Sequence, residues 1–340
     1  KTESLEKRFP YVDLFMRPQE YSPLLELLGD RMGIDAEGCL SVLVPEHASV
    51  TAFIPIIHGC DKFCTFCIIP YRRGREKSRT VSEIVKEADL LARRGVREVT
   101  LLGQNVDSYG HDLPGNTDLA DLLSAVSDVE NLDRVRFLTS HPNDMSEHII
   151  EAVASLNKVC EHFNLPFQAG DDEVLSVMRR GYTSDDYLRL VEQIRATVPN
   201  VSIGTDLIVG FPGESETAFE RSVEMLETVR FNKVHAAAYS TRPGTIAARK
   251  LQDDVPFEEK RRRLSVIESV QERIATKINA ELLHTSQQVL VEKLDKGKWR
   301  GRTRNDKLVF IEDSRELLGK TVAVKILKTS PWSLQGEAIS

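Results

Sequence analysis

The stretch Ala52-Phe-Ile-Pro-Ile-Ile57-His-Gly-Cys60-Asp-Lys-Phe-Cys64-Thr-Phe-Cys67 joins a segment of buried-strand character directly to three closely spaced cysteines. Structural zinc takes four Cys or His ligands, and iron–sulfur cubanes are normally held by four cysteines. Three cysteines spaced four and then three residues apart, with no fourth ligand nearby, leave one coordination position open. The loop therefore indicates an iron that is kept free for a substrate, which is a catalytic arrangement.

A structural zinc site is the alternative for this loop, with His58 as the fourth ligand. Zinc ligands usually come as two pairs separated along the chain, and no second CxxC or HxxxH motif follows. Cys39 and Cys160 stand alone, so we expect them to be small buried side chains rather than ligands. Five cysteines among 340 residues indicate a reducing compartment, the cytoplasm.

The composition excludes some classes of protein and localises the positive charge. No apolar run approaches the ~20 residues that span a bilayer, so we expect no membrane contact. The net charge of −7 argues against a wholly basic nucleic-acid coat. Residues 285–340, however, hold 11 Lys and Arg against 7 Asp and Glu, so a polyanion is expected to dock there.

Six units of alternating strand and helix patterns extend from Thr51 to Tyr239. The predicted strands are Ala52–Ile57, Glu98–Leu102, Arg134–Leu138, Phe163–Phe167, Ser202–Val209 and Lys233–Tyr239. The predicted helices are Val81–Arg94, Asp118–Ser127, Met145–Leu156, Asp171–Met178, Ser184–Thr197 and Glu214–Val229. Successive βα units predict an α/β fold with a parallel sheet, and six units predict a partial (β/α)6 TIM-like barrel. Active sites of such barrels gather at the C-terminal strand ends, so the Cys60 loop is expected at the barrel mouth.

The last quarter of the chain has a different pattern. A long charged helix is predicted from Pro256 to Leu283, followed by five short strands that are typical of a small antiparallel β-barrel. An aromatic side chain is interleaved with cations, which suits RNA binding, although a solvated basic face is the alternative. These RNA-binding candidates are Trp299, Arg300, Arg302, Arg304 and Lys307. The predicted domains are 1–45, a core at 46–255, a linking helix at 256–284 and the small barrel at 285–340.

The ordered motifs resemble those of the radical S-adenosylmethionine (SAM) superfamily, and within it the methylthiotransferase family. They are the Cys60–Cys67 loop, Tyr71-Arg-Arg-Gly-Arg-Glu-Lys-Ser-Arg79, Leu101-Leu-Gly-Gln-Asn-Val-Asp-Ser-Tyr-Gly110 and Asp206-Leu-Ile-Val-Gly-Phe-Pro-Gly-Glu214. Gln104-Asn105, Ser108-Tyr-Gly110 and Thr139-Ser-His-Pro142 are similar to the tRNA-modifying members. The tail, with Gly301-Arg-Thr-Arg304 and Pro331-Trp-Ser-Leu-Gln-Gly336, resembles the TRAM domain with which this family holds RNA.

The resemblance implies a set of cofactors and an activity. Cys60, Cys64 and Cys67 would hold a [4Fe-4S] cluster whose open iron binds SAM. The reaction would place a methylthio group on C2 of N6-isopentenyladenosine at position 37 of tRNA, in the anticodon loop. A flavodoxin or ferredoxin would donate the electron, and the enzyme would be a cytoplasmic monomer. Two alternatives stay open: methylthiolation of threonylcarbamoyl-adenosine tRNA or of a ribosomal-protein aspartate, and a non-catalytic RNA-binding metal protein.

The resemblance also assigns residues to tasks. The expected SAM-binding residues are Phe66, Gln104, Asn105, Gln168, Asp206 and Arg242. Arg72, Arg73 and Arg75, beside the cluster loop, are expected to hold tRNA phosphate. A loop cap is the alternative for Gln104 and Asn105, and surface ion pairs are the alternative for the three arginines.

One departure from the family pattern concerns the N-terminus. Relatives carry an N-terminal domain with three more cysteines that hold a second, auxiliary [4Fe-4S] cluster. Residues 1–45 resemble only the last part of that domain, so most of it is expected to be missing from this chain. We therefore expect the chain to cleave SAM, whereas its ability to insert sulfur stays open.

Overall fold

A computed structural model describes residues 2–16, 23–24, 26–27, 31 and 49–339, and the chain divides into two units, Lys1–Ala48 and Ser49–Ser340. The first unit contains helix α1 (Thr2–Arg8) and an ion pair of 2.8 Å between Arg31 and Asp13. Cys39 and most of the predicted N-terminal remnant lie outside the described residues. The expectation for Cys39 therefore stays a prediction.

The second unit begins with parallel strands and helices that alternate as predicted. In chain order they are β1 (Thr51–Pro55), β2 (Ile57–His58), α2 (Ile69–Arg73), β3 (Lys77–Ser78), α3 (Val81–Arg93), β4 (Glu98–Leu102), α4 (Leu119–Ser127), β5 (Arg134–Phe137), α5 (Glu147–Ser155), β6 (His162–Asn164), α6 (Asp172–Met178), α7 (Ser184–Thr197), β7 (Ser202–Val209), α8 (Glu216–Val229), β8 (Lys233–Ala238), α9 (Ile246–Lys250) and α10 (Phe257–Ala280). Two three-stranded parallel sheets result, β1-β4-β5 and β6-β7-β8. A parallel bridge between Val135 and Val159 connects them. The predicted partial barrel is confirmed.

The helices begin where side chains satisfy their first backbone N–H groups. Thr80 caps α3 in a capping box with Glu83, and Thr183 caps α7 in the same way with Asp186. Each such cap is typically worth about 1 kcal/mol. None of the helices in the described part of the chain combines the length and hydrophobicity that crossing a membrane requires.

Strand β6 is shorter than predicted. The sequence pattern indicated Phe163–Phe167, but the strand ends at Asn164. Pro166 has no N–H to donate to a strand ladder, so pairing stops before it. The chain returns to the sheet only at Gln168, which forms an isolated parallel bridge with Leu207. This interruption leaves the segment from Asn164 to Gln168 at the barrel mouth.

The C-terminal strands β9 (Ser286–Asp295), β10 (Lys298–Thr303), β11 (Leu308–Ile311), β12 (Thr321–Thr329) and β13 (Leu334–Ala338) close into a barrel in the order β10-β11-β13-β12-β9. Four of the pairings are antiparallel, as predicted, but β11 and β13 run parallel. Its interior is filled by aliphatic side chains such as Val289, Val309 and Ile326, none of which is exposed.

The small barrel contacts the N-terminal strand ends of the large one, a region we call the underside. Arg134 donates to the carbonyl of Arg302 at 2.7 Å, and Arg136 donates to the carbonyl of Thr303 at 2.7 Å. In return, Arg304 pairs with Glu161 at 2.7 Å. These three arginines lock the two barrels together at the end opposite the mouth.

Candidate active site

The cysteine loop is a tight turn at the C-terminal end of β1 and β2. Cys60 and Cys64 are buried and Cys67 is partly buried. The backbone N–H of Cys67 donates to the carbonyl of Cys64 at 3.0 Å, and Phe63 adopts a left-handed conformation with φ of 50°. The turn thus carries three free thiols on one short loop.

The start of the loop requires a glycine and is held by an amide. Gly59 has φ of 81°, and a Cβ there would lie 2.1 Å from the carbonyl oxygen of Arg75, so no larger residue fits. Its N–H donates to Oε1 of Gln104 at 2.8 Å. Gln104, at the end of β4, therefore fixes the position at which the cysteine loop begins.

Charged side chains brace the rest of the loop. Asp61 pairs with Arg75 at 2.5 Å, and its N–H donates to Glu76 at 3.1 Å. Lys62 pairs with Asp144 at 2.6 Å. The second carboxylate oxygen of Asp144 accepts a hydrogen bond from Nδ2 of Asn105 at 2.6 Å. The loop is thus fixed from both sides before any ligand binds.

Arg180 donates from Nη1 to the sulfur of Cys64 at 3.4 Å. The same buried guanidinium donates to Tyr182 and to the carbonyl of Pro166, each at 3.0 Å. No carboxylate pairs with Arg180 among the described residues, and a buried charge without a counter-charge is unfavourable. Arg180 therefore places a positive charge directly beside one cysteine of the loop.

A cavity of about 480 Å³, which we call the mouth cavity, opens beside this loop. Such a volume is ordinary for a site that takes a small molecule. Four of the six predicted SAM-binding residues line it: Phe66, Gln168, Asp206 and Arg242. Arg242 is exposed, and it acts to lower the pKa of Cys67, a pKa that burial raises.

Two residues of the mouth cavity have unusual backbone conformations. Gln168 has φ of 69° and Thr139, which is β-branched, has φ of 72°. Backbone strain of this kind persists only where the surroundings impose it, and it concentrates at ligand sites. Thr139 and Gln168 therefore make the mouth cavity a candidate ligand site.

Comparisons with known proteins show which domains this chain contains. Residues 54–226 match the model of the radical SAM superfamily, and residues 284–339 match the TRAM domain. The chain is 50% identical over 336 residues to tRNA-2-methylthio-N(6)-dimethylallyladenosine synthase of Dehalococcoides mccartyi, an alignment that covers 99% of this chain and 78% of the relative. The Herpetosiphon aurantiacus protein of the same name is 49% identical over 98% of this chain and 77% of its own length. Among solved structures, coproporphyrinogen III oxidase from Escherichia coli has 16% identity and a TM-score of 0.49 over 91% of this chain and 76% of its own.

This chain belongs to the radical SAM family of tRNA-2-methylthio-N(6)-dimethylallyladenosine synthases. The family implies a [4Fe-4S] cluster and SAM, as predicted. The zinc alternative does not fit the thiols, because Zn–S bonds of about 2.3 Å keep the sulfur atoms of a tetrahedral site less than about 4 Å apart. In the described part of the chain, one group of three possible ligands lies within 4.8 Å, and it is Asp118, Asp121 and His148 rather than the cysteines.

The three sulfur atoms are therefore not all as close as a zinc site requires, whereas a cubane binds each cysteine through a different iron atom. Burial raises the pKa of the free Cys60 thiol to about 11, so assembly of the radical SAM cluster would release protons. The Asp118, Asp121 and His148 group is partly or fully exposed, and both carboxylates already cap helix α4. It is therefore not a metal site for this family's chemistry.

Gln104 and Asn105 do not line the mouth cavity, unlike the other four predicted SAM ligands. Asn105 is only 2% exposed and Gln104 holds Gly59. Their predicted contact with SAM stays a prediction, and the structure gives both the bracing role that a loop cap would have.

The predicted RNA-binding residues of the TRAM barrel fall into different environments. Trp299 is 7% exposed and donates to the carbonyl of Arg315, so it offers no face on which a base could stack, which corrects that expectation. Arg304 is committed to Glu161, and Arg302 pairs with Asp306 at 3.0 Å. Arg300 lies 3.9 Å from Asp295, and Lys307 makes no ion pair within the described residues. Lys307 is the cation of this set that is left without a counter-charge.

Sequence reasoning missed Arg180, Tyr182 and Asp144. Arg180 follows Met178-Arg179 at the end of α6, where a basic residue ordinarily indicates a solvent-exposed helix end. Arg179 adopts a left-handed conformation there, which turns the chain back so that Arg180 points inward. No local pattern signals this reversal, because the contact with Cys64 joins residues 116 positions apart.

Proposed function

We propose that this chain is a transferase that methylthiolates C2 of N6-isopentenyladenosine at position 37 of tRNA. Relatives of that enzymatic name, about 50% identical over nearly the whole chain, support the proposal. The observation that carries it is the placement of three free thiols on a loop beside a cavity of about 480 Å³ that is lined by Phe66, Gln168, Asp206 and Arg242.

The reaction must remove hydrogen from an aromatic C–H that is not acidic, which no side-chain base achieves near neutral pH. When bound, the cluster and SAM supply the one-electron chemistry that generates a carbon radical for this step. The protein's part is to orient the ligands and to exclude water. Buried thiols, a braced loop and a cavity walled by Phe66 and Tyr239 serve these ends.

The proposed roles at the mouth cavity follow from side-chain chemistry. Arg242 presents a guanidinium fork, which matches the carboxylate of a bound amino acid. Asp206 accepts a hydrogen bond from Asn164 at 3.2 Å and retains lone pairs for ribose hydroxyls. Gln168 offers an amide, and Phe66 an aromatic face packed edge-on against Phe211. Gln104 and Asn105 would act through the loop they brace.

Arg72, Arg73 and Arg75 remain proposed contacts for tRNA phosphate. Arg72 and Arg73 lie in α2, directly after the cluster loop, and Arg75 is exposed although it pairs with Asp61. Tyr71 is 45% exposed next to them and contacts Arg249. A basic surface with an exposed aromatic ring beside the mouth suits an RNA loop.

The proposal extends to partners that the fold does not display. We expect a flavodoxin or ferredoxin as electron donor, a monomeric enzyme and a cytoplasmic location.

An auxiliary cluster would require three more cysteines. Of the two cysteines outside the loop, Cys160 is buried on the underside and Cys39 lies outside the described residues. We therefore propose that this stretch of chain does not itself hold an auxiliary cluster.

Anaerobic reconstitution tests the proposal. The chain is loaded with iron and sulfide, reduced, and given SAM, and 5′-deoxyadenosine is measured by mass spectrometry. We expect product from the wild type and from Cys160→Ala, a matched change of a buried cysteine outside the loop. An intact cluster that yields no 5′-deoxyadenosine would support the non-catalytic metal protein instead.

Substrate identity is tested separately on bulk tRNA from a host that lacks the modification. Formation of 2-methylthio-N6-isopentenyladenosine on expression of the protein in that host would support this substrate and show that the chain inserts sulfur. Cleavage of SAM without this product would mean that sulfur insertion requires a further cluster. Methylthiolation of threonylcarbamoyladenosine, or of a ribosomal-protein aspartate, would establish one of the other two substrates.

A further inference from the structure

A second cavity lies where the small barrel meets the underside of the large one. We call this space of about 190 Å³ the seam cavity. Its walls include His162 and Lys233 at the starts of β6 and β8, Asn279 of α10, and Arg302, Lys307 and Trp332 of the TRAM barrel. None of the mechanism proposed above uses this cavity.

The seam cavity is electropositive. Lys307 makes no hydrogen bond or ion pair through Nζ within the described residues, and Lys233 is an exposed cation on the same wall. Burial lowers the pKa of Lys307 to about 8, and only Asp306 opposes this effect. Since Asp306 already pairs with Arg302, an anion in the cavity would supply the counter-charge that Lys307 lacks.

Two buried polar atoms in the cavity walls also lack partners. Nδ1 of His162, a residue only 6% exposed, has no hydrogen-bond partner, and neither has Oδ1 of Asn279. Burial lowers the pKa of His162 to about 4, so the ring is neutral and offers one N–H at neutral pH. Both residues line the cavity, so its wall is polar as well as positively charged and suits the phosphate and ribose of a nucleotide better than an apolar ligand.

Trp332 is 59% exposed and borders the seam cavity. The same residue borders a groove of about 520 Å³ between β8 and α10, which we call the β8 groove. An exposed indole beside an electropositive cavity is the pairing that single-stranded nucleic acid requires, because a base stacks while its phosphate meets a cation.

The β8 groove connects the seam cavity to the mouth cavity. Its wall includes His235 and Ala236, which also line the mouth cavity. No side chain of β8 is buried, whereas β4 and β5 are buried almost throughout. Alanine at positions 236–238 leaves space along this open strand. Six residues at about 3.3 Å each span a few extended nucleotides.

We propose that the seam cavity binds a backbone phosphate of the RNA strand whose nucleoside enters the mouth cavity, with the adjacent base stacked on Trp332. The inference rests on the proposed function and adds to it a path for the RNA along β8. Glu268 and Glu272 line the α10 side of the groove, so phosphates there would face solvent. The seam cavity is the point on this path where a phosphate meets cations.

Binding of an RNA hairpin whose loop carries N6-isopentenyladenosine tests the inference, with the full chain and varied salt. Trp332→Ala is expected to weaken affinity by about fivefold to a hundredfold through loss of stacking. Lys307→Gln is expected to reduce the slope of log affinity against log salt by about 0.7, the value for one phosphate contact on a single strand. Matched controls are Leu294→Ala, an exposed apolar residue, and Lys325→Gln, an exposed lysine, both on the small barrel. Neither control is expected to change affinity more than about twofold.

Photocrosslinking keeps the test decisive if a variant unfolds. A hairpin with photoreactive uridines beside the target nucleoside is expected to crosslink wild-type protein at the peptide that contains Trp332. Crosslinks confined to other peptides, or unchanged affinity and salt slope in both variants, would overturn the inference and leave the proposed function standing. A wild type that does not bind the hairpin would overturn both.

Binding of inorganic phosphate alone is the last measurement. If Lys307→Gln abolishes phosphate binding but leaves RNA binding unchanged, the cavity binds a small anion and the inference is wrong.

Discussion

The mouth and the underside are the two ends of the same parallel strands, and the arginines at these two ends differ in whether a carboxylate pairs with them. At the mouth, Arg180 is buried against Cys64 and pairs with no carboxylate of the described residues, and Arg242 is exposed at the rim of a cavity. At the underside, Arg136 pairs with Glu98 at 2.8 Å and donates to two carbonyls of the small barrel. The underside, where the arginines have protein partners, holds the two barrels together. The mouth, where they lack carboxylate partners in the described part of the chain, is available to bind a ligand.

This difference indicates that the end of a barrel that binds a ligand can be recognised by charged and polar groups that lack partners within the protein. The seam cavity is intermediate: it lies at the underside, but among the described residues Lys307 has no ion pair, and His162 and Asn279 each keep an unpartnered polar atom. Buried polar groups in proteins are nearly always partnered, so each exception calls for a physical explanation.

The largest expected effect is that of removing one thiol, which should abolish activity at the mouth and leave RNA binding by the small barrel unchanged. Cys64→Ala is expected to reduce 5′-deoxyadenosine formation to background, since the cluster loses one of its three protein ligands. The hairpin affinity should stay within about twofold, because the TRAM barrel folds around its own core. Parallel loss of RNA binding would show that the mouth and the small barrel do not act separately.

Breaking the saturated end should cost stability. Arg136→Met leaves the Glu98 carboxylate, which is 4% exposed, without its close partner. Loss of one member of a buried pair typically costs about 3–5 kcal/mol, measurable by urea unfolding. Lys298→Met, which breaks an exposed pair with Glu312, is the control and should cost under about 1 kcal/mol. Equal losses in both would mean that the docking contacts are not stronger than surface pairs.

A carboxyl near the mouth should make stability depend on pH. Burial raises the pKa of Asp107 to about 7, although Ser140 and the N–H of His141 donate to it. The folded form therefore keeps a proton that the unfolded form releases, and this group's contribution to stability falls as pH rises from about 4 to 7. The total is at most about 4 kcal/mol for three pKa units.

Asp107→Asn removes this titration, so its stability relative to wild type should improve as pH rises from 4 to 8. Urea midpoints at several pH values provide the measurement. Asp185→Asn, an exposed carboxylate, is the control. A constant difference between Asp107→Asn and wild type across this range would contradict the raised pKa.

The smallest expected effect concerns the midpoint potential of the cluster that the mouth would hold. Arg180→Met removes a buried positive charge and a hydrogen bond to Cys64, so the midpoint potential of the bound cluster should fall by on the order of tens of millivolts. Arg180→Lys should restore part of it by retaining the charge. Arg179→Met, an exposed neighbour, should not shift it. A cluster lost without any change of potential in the remaining fraction would assign Arg180 a purely structural role.

Local pattern predicted most of the architecture. The six strands, the six helices between them, the long helix and the five final strands all lie within a few residues of their expected positions. Amphipathic spacing, capping residues and turns are local signals, so the sequence carries them directly. The predictions differ from the structure at two places. Strand β6 ends early, before Pro166, and β11 pairs with β13 in parallel rather than antiparallel.

By itself, the sequence determined the cysteine loop, the barrel that presents it and the residues Phe66, Gln168, Asp206 and Arg242 that reach the mouth. Tertiary structure alone decided which polar groups have partners. Arg304 and Trp299 look like RNA contacts in sequence, but folding commits the first to Glu161 and buries the second. Arg180 and Trp332 gained their positions from contacts between distant segments. Charge and aromaticity are properties of a residue, whereas availability depends on which neighbours the fold brings within hydrogen-bonding distance.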